Sequence, residues 1–360
     1  MQSDTLVRDA AFYKRFFSIW SMLVLYNIIT LGVNLADNVM IGAYSEIAMS
    51  GVSAVNQIQF VFQQLMMGVG DGIVVLGSQY WGKRRPDAIR KFLPGAFLVG
   101  AGISLFLFVA ACVAPEAILA IFTPDPAIRA AGVEYLRIIK YSYLIFALSQ
   151  ILLAMLRSVE TVRIGFWVSL AALAVNISLN YLLIGGHLGA PALGATGAAI
   201  ATLIARLVET LLLLILTFRP RSPFAGKAGE YLRYGKAFAR KVMGAMVPVV
   251  LNEGCWALGF VLYTVAYGFI GDGTRAIAAS QICNSIQNLF MVFCFSSASA
   301  ALVMIGNQVG AKEEDTAKAY ARRFSWLSVL MGMVIGAVVL FTAPAILSLF
   351  KVSEEARLAA

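Results

Sequence analysis

Charge is scarce in this sequence: Asp, Glu, Lys and Arg make up 13% of 360 residues, against 60% hydrophobic ones, and the mean hydropathy is +0.81. A soluble domain carries about 25% charged residues, so a water-facing surface is excluded for most of this chain and lipid must be its solvent. Histidine is nearly absent as well. The single His187 cannot assemble a metal centre or a Ser/His pair, and there is no Walker-type phosphate loop, no Gly-x-Ser-x-Gly elbow and no His-Glu-x-x-His helix. The chain is therefore read as no enzyme, with no cofactor and no ATP. Four cysteines (Cys112, Cys255, Cys283, Cys294) sit inside apolar runs without paired spacing, which makes them small hydrophobes rather than disulfide partners or metal ligands.

What the sequence has in quantity is apolar runs long enough to cross a bilayer as helices. Nine are read, at 16–41, 52–80, 92–114, 133–156, 164–185, 194–218, 243–270, 278–306 and 324–350. The first is of full spanning length and is expected to stay in place as a membrane helix. Short polar connections separate the runs, and their charges sort by side. With a cytoplasmic N-terminus, most of the 28 basic residues fall on the inner side: Arg8, Lys14 and Arg15, then Lys83 to Arg85 with Arg90 and Lys91, then Arg157 and Arg163, the loop from Arg219 to Lys241, and Lys312 to Arg323. The formal net charge of +9 is thus topological and points to no nucleic-acid partner. A multi-pass protein of the plasma (inner) membrane, working as a monomer, is expected.

Sliding the chain on itself by 228 residues reveals an internal repeat. Without gaps, Ala48 meets Ala276, Asn56 meets Asn284, Gln59 meets Gln287, Phe62 meets Phe290, Gly82 meets Gly310 and Asp87 meets Asp315; further on, 117–122 meets 345–350 and Arg129 meets Arg357. Shared polar residues weigh against chance likeness of greasy helices. An offset containing six spans gives two lobes of the same orientation, related by an axis along the membrane normal, a layout found in transporters. The domains expected are a six-helix lobe at 1–220, a cytoplasmic inter-lobe loop at 221–242 and a second lobe at 243–360. That second lobe holds spans seven to nine, with its last three spans expected beyond residue 360.

Ionisable and amide side chains inside spans are costly and mark candidate sites. Asp37 stands in Asn34-Leu-Ala-Asp37-Asn38, where Asn34 and Asn38 share its helical face and can donate hydrogen bonds to it. A carboxylate among amides can bind Na⁺ or exchange a proton. In the fifth span Asn176 and Asn180 are spaced i and i+4, and Thr202 opens the sixth; interhelical hydrogen bonding is the ordinary alternative for these. Glu253 follows Asn252 and comes five residues after the helix-kinking Pro248. Asp71 lies between Gly70 and Gly72, and Arg206 with Glu209 at i, i+3 reads as a self-neutralising pair.

Three stretches, Asp37-Asn-Val-Met-Ile-Gly42, Ser78-Gln-Tyr-Trp-Gly-Lys83, and Asn176-Ile-Ser-Leu-Asn180 followed by Leu193 to Thr202, together resemble the multidrug and toxic compound extrusion (MATE) family. The segments from Pro248 to Glu253 and from Gly306 to Gly310 agree with it. The resemblance implies an all-α integral membrane protein whose two six-helix lobes form a V-shaped exporter. It implies an antiporter that exports small amphipathic, often cationic compounds in exchange for H⁺ or Na⁺ through a cleft between lobes. By position, Asp37 corresponds to the coupling carboxylate, with Asn34, Asn176, Asn180 and Thr202 around it, and Glu253 corresponds to the acid of a second-lobe cleft. Where many members have an aspartate, this chain has Asn180, which leaves the choice of ion open. A flippase for lipid-linked precursors or polysaccharide is the competing transport reading, favoured by a strongly basic cleft, and an intramembrane enzyme or scaffold would need a catalytic pair not found here.

Overall fold

The computed structural model describes residues 10–220, 222–226, 229–230, 236–268 and 273–349, with side chains described except at 264, 265, 267–286 and 343–349. Among the described residues the chain is helical throughout. In order come α1 (Ala10–Tyr44), α2 (Glu46–Gly82), α3 (Pro86–Arg90), α4 (Phe92–Val113), α5 (Pro115–Ala120), α6 (Pro126–Ile139), α7 (Ser142–Ser158), α8 (Val162–Gly185), a 3₁₀ turn at His187–Gly189, α9 (Gly194–Thr217), α10 (Lys236–Gly268), α11 (Gly273–Gly310) and α12 (Glu314–Leu349). Eight of these helices are long and apolar enough to cross a membrane, and the α6–α7 pair, bent by 57°, makes a ninth. Their outer faces carry bare hydrocarbon: Leu98, Leu105 and Phe106 on α4, and Val329, Met333 and Phe341 on α12, are all more than half exposed. Such a surface is stable against acyl chains and not against water.

The breaks have local causes. Pro94, near the start of α4, lacks an N–H and crowds the carbonyl four residues back, and the helix stops at Arg90 and restarts at Phe92. The bend between α6 and α7 contains no proline. There the Ser142 hydroxyl donates to the Ile139 carbonyl at 2.7 Å, replacing backbone pairing at the break. His187 is structural: its Nδ1 lies 2.8 Å from the Tyr181 carbonyl and its ring stacks on the Tyr181 ring at 4.1 Å. Cys112, Cys255 and Cys294 are free thiols; the side chains of Cys283 and Asn284, and residues 350–360 of the repeat, lie outside the described ones.

Helix α2 is the central element. It packs on α4, α6 and α7 on one side and on α10 and α11 on the other. The approach to α10 and α11 is close because small residues line it. A Cβ at Gly68 would come within 2.7 Å of the Val250 Cα, and one at Gly72 within 2.8 Å of the Met246 Cα. A Cβ at Gly310 would stand 1.9 Å from the Gln79 carbonyl oxygen. Both Gly68-x-x-x-Gly72 and Gly306-x-x-x-Gly310 thus act as small-residue faces that let backbones touch where lipid supplies no hydrophobic drive between helices.

The turns after α2 and α11 are built alike, bond for bond. Lys83 N–H donates to the Gln79 carbonyl, Arg84 to Trp81 and Arg85 to Tyr80; 228 residues later, Ala311 donates to Asn307, Lys312 to Val309 and Glu313 to Gln308. The residue holding the left-handed conformation is the second after the glycine in both, Arg84 at φ 55° and Lys312 at φ 65°.

At one end of the molecule α1 is fastened to elements from both halves of the chain. The Arg15 guanidinium pairs with Glu160, which also accepts from the Asn307 Nδ2 at 2.7 Å. Beside it Phe12, fully buried, meets the rings of Tyr320 at 4.8 Å and Phe324 at 5.4 Å. Glu160→Gln removes the charge that Arg15 needs while keeping an acceptor for Asn307. For a partly exposed pair the expected cost is about 1 kcal/mol, roughly fivefold in the population of this arrangement. Labelling of a cysteine placed at Val162, which is buried here, by a membrane-impermeant thiol reagent should rise accordingly; unchanged labelling means that the triad does not hold this end.

Candidate functional site

Asp37 lies two turns before the end of α1, on the face turned to α8 and α9, and is 9% exposed. Asn176 and Asn180 stand one turn apart on α8, and Thr202 faces them from α9; all three are buried. Helices α8 and α9 come together because Gly197 presents no side chain: a Cβ there would lie 2.5 Å from the Leu183 carbonyl oxygen.

The four side chains form one connected cluster. Asn180 Nδ2 donates to Asp37 Oδ1, and also to Asn176 Oδ1 at 3.2 Å. Asn176 Nδ2 donates to Thr202 Oγ1 at 3.3 Å, and the Thr202 hydroxyl donates to Asp37 Oδ2 at 3.4 Å. Every member thus has a partner within the cluster, while the Asn180 Oδ1 is buried without one. The chemistry is that of a hard-oxygen site: two carboxylate oxygens, two amide oxygens and a hydroxyl, shielded from bulk water, suit either a proton or a small monovalent cation.

Asn34 takes a different place from the one its spacing implied. It is exposed on α1 and lines the adjoining cavity; among the described residues neither it nor Asn38 hydrogen-bonds to Asp37, because Asn180 and Thr202 occupy the carboxylate from across the helix boundary. Glu253, on α10, is half-buried, accepts from Asn252 Nδ2 at 3.3 Å and does not line that cavity, whereas Trp256, one turn on, does.

The cavity has a volume of about 480 Å³ and follows α1 from Leu23 to Asp37, a distance of about 20 Å at 1.5 Å per residue. Helices α1, α2, α6 to α9, α10 and α11 all contribute to its wall. Its lining mixes apolar side chains such as Phe60, Met66, Phe146 and Trp256 with amides, Gln59, Gln63, Gln64 and Gln150 among them. Charged lining residues are Asp37, Glu209, Arg157 and Arg206. Arg157, placed by sequence in an inner connection, reaches inward instead. Its Nη2 donates to Asp71 Oδ1 at 2.7 Å and its Nη1 to the Ser299 hydroxyl at 3.2 Å, linking α2, α7 and α11.

Among the described residues Arg206 and Glu209 make no direct ion-pair contact, although their charges act on each other. Glu209 accepts from the Ser169 hydroxyl of α8 at 2.9 Å, while the Arg206 guanidinium lies 4.3 Å above the Phe146 ring of α7. Tyr135, 3% exposed and also on the cavity wall, was not signalled by sequence because a buried tyrosine in an apolar span reads as core.

The MatE family model matches residues 23–182 and 248–360. Among curated relatives, the probable multidrug resistance protein NorM of Listeria innocua serovar 6a is 25% identical over 338 residues, covering 93% of this chain and 73% of that protein. The probable multidrug resistance protein NorM of Thermotoga maritima is 24% identical over 322 residues, covering 89% of this chain and 68% of its own. Among solved structures, a MOP superfamily transporter from Pyrococcus furiosus superposes with a TM-score of 0.85 at 16% identity, over 99% of this chain and 78% of that one. An outward-facing multidrug resistance MATE family transporter does so with 0.84 at 15% identity, over the same shares. With the family model matched over most of its length and the helical architecture shared, the chain belongs to the MatE family.

Proposed function

We propose that this protein is a secondary-active multidrug exporter of the plasma membrane. It moves small amphipathic, cationic compounds outward in exchange for H⁺ or Na⁺ by alternating access, with its N-terminus in the cytoplasm. Asp37 binds the coupling ion, and Asn176, Asn180 and Thr202 supply the remaining oxygens. Cargo occupies the 480 Å³ cavity whose wall Asp37 forms. The observation that carries this reading is that contiguity: a buried carboxylate accepting from the Asn180 amide and the Thr202 hydroxyl, open on one side to a cavity of amphipathic lining. Binding of the ion rearranges the cluster, and because α1 carries both Asp37 and part of the cargo wall, the two ligands bias one conformational equilibrium.

The matched turns after α2 and α11 support two lobes of common ancestry, α1 to α9 and α10 onward, that rock against each other along the glycine-lined seam of α2. Glu253 is proposed as an acid of the second lobe. The names of the relatives, probable multidrug resistance proteins, point the same way. A flippase for lipid-linked anions would need a basic cleft, and the charged residues on this cavity wall are two carboxylates and two guanidiniums.

Efflux of a fluorescent amphipathic cation from vesicles holding the full-length protein, with Na⁺ and H⁺ gradients imposed separately, tests the reading. One of the two gradients, by itself, should drive export; export driven by neither overturns it. In the same vesicles Glu253→Gln should slow export if the second lobe takes part, and wild-type rates would remove Glu253 from the mechanism.

A further inference from the structure

One carboxylate inside a span has no part in the coupling cluster. Glu209 of α9 is partly buried, faces the main cavity, and accepts one hydrogen bond among the described residues, from the Ser169 hydroxyl of α8 at 2.9 Å. A carboxyl group in the middle of a span is costly and is characteristic of places where an ion or proton moves. Its neighbours do not account for it. Arg206 acts on it electrostatically, but the guanidinium lies over the Phe146 ring and not against the carboxylate. From α1, Tyr26 of the same cavity wall is within electrostatic reach of it. Tyr135 of α6 and Tyr143 of α7 act on Arg206, and Arg157 of α7 is engaged by Asp71 and Ser299.

Its position along the α8–α9 seam supplies a role. Two polar contacts cross that seam beside the cavity: Asn176 with Thr202, in the Asp37 cluster, and Ser169 with Glu209. They are seven residues apart on both helices, about 10 Å at 1.5 Å per residue. Another seven residues back from Ser169 is Val162, the first residue of α8, which lines the cavity together with Thr161 and Arg157. With the N-terminus inside, Glu209 therefore stands midway between the coupling cluster and the inner end of the cavity. A proton leaving Asp37 inward has about 20 Å to cover, too far for one transfer, and Glu209 divides that distance in two. The cavity, about 480 Å³ and partly amide-lined, has room for water chains on either side of it.

We propose that Glu209 is the relay by which the coupling proton passes inward. Asp37, protonated from the outer side, gives its proton through cavity water to the Glu209 carboxylate. Glu209 becomes a carboxylic acid and passes the proton on to water at the inner end, so that both groups end as carboxylates. The Ser169 hydroxyl holds the acceptor oxygen in place between these transfers. This rests on the export reading above and adds that the coupling ion is H⁺ and that its route has a second station.

Vesicles of the full-length protein test the relay through two rates for one fluorescent amphipathic cation. The first is net efflux driven by an imposed H⁺ gradient. The second is exchange of the dye against a non-fluorescent analogue at equal pH, which needs no net proton movement. Glu209→Gln keeps an acceptor for Ser169 but cannot carry a proton, and should lower the ratio of gradient-driven efflux to exchange by about tenfold; Ser169→Ala, which changes no charge, should lower it by about threefold. If Glu209 serves only to contact cargo or to balance the charge of Arg206, both rates fall together and the ratio is unchanged, which overturns the proposal. If Glu209→Gln fails to reach the membrane, the ratio for Ser169→Ala decides on the same terms. Wild-type export driven by a Na⁺ gradient and not by an H⁺ gradient also overturns it, while leaving export itself established. Export driven by neither gradient overturns the export reading and the relay with it.

Discussion

Asp37→Asn is expected to cut gradient-driven efflux by about 5- to 150-fold, the range set by coupling free energies of roughly 1–3 kcal/mol, with the protein still present in the membrane. The substitution is nearly isosteric, and the cluster can re-pair around an amide by turning the Asn180 side chain, so the fold should tolerate it. What is lost is the single negative charge of the cluster. Without it neither a proton nor a monovalent cation has a differential affinity for the two conformations, and a ligand with none shifts no equilibrium. The measurement is initial efflux rate under an imposed gradient, normalised to protein in the membrane. Equal rates for mutant and wild type would remove Asp37 from coupling. Binding of cargo in the absence of a gradient should change less than efflux, since Asp37 forms only one patch of a wall that follows α1 from Leu23 onward.

The second large effect is steric. Gly310→Ala would place a methyl carbon 1.9 Å from the Gln79 carbonyl oxygen, well inside contact distance, and the obstructing atom is backbone, so no side chain can swing aside. Gly82 faces the equivalent problem from the other helix, with a Cβ 2.0 Å from the Asn307 carbonyl oxygen. The α2–α11 seam must therefore part by more than an ångström at this end. Overpacking of this kind costs about 1–3 kcal/mol, which amounts to roughly 5- to 150-fold against the arrangement described here. Distances between spin labels on α2 and α11 should lengthen, and efflux should fall because one of the two states that must alternate is disfavoured. Gly336→Ala, at a position where a Cβ meets nothing within 4 Å, is the control and should behave as wild type. If Gly310→Ala left both the distances and the efflux unchanged, the close seam would not be a working state.

Much of this architecture is legible in the chain itself. Eight of the nine apolar runs lie along one helix each, though most of those helices begin well before the run, and the fourth is shared by α6 and α7; hydropathy over twenty residues is dictated by the solvent, and a backbone in lipid has no other way to satisfy its hydrogen bonds. The spacing of Asn176 and Asn180 put two amides on one face of α8, and Asp37 and Thr202 stood out as polar residues in apolar surroundings; the structure brings all four together.

Other features were invisible for a common reason. The bend at 140–141, the inward turn of Arg157 to Asp71 and Ser299, and the separation of Arg206 from Glu209 depend on which helices lie alongside and how each is rotated. Arg206 and Glu209 at i, i+3 could have paired, as could Asn34 and Asp37, but a long side chain goes to whichever neighbour packing offers. Sequence alone determined that this is a bundle of membrane-length helices with a carboxylate and two stacked amides inside it, since periodicity and transfer free energy are local properties. Only the tertiary structure decided which polar atoms meet and where the helices open a cavity, since these follow from contacts between different helices, such as Asp37 with Asn180 and Thr202 or Arg157 with Asp71.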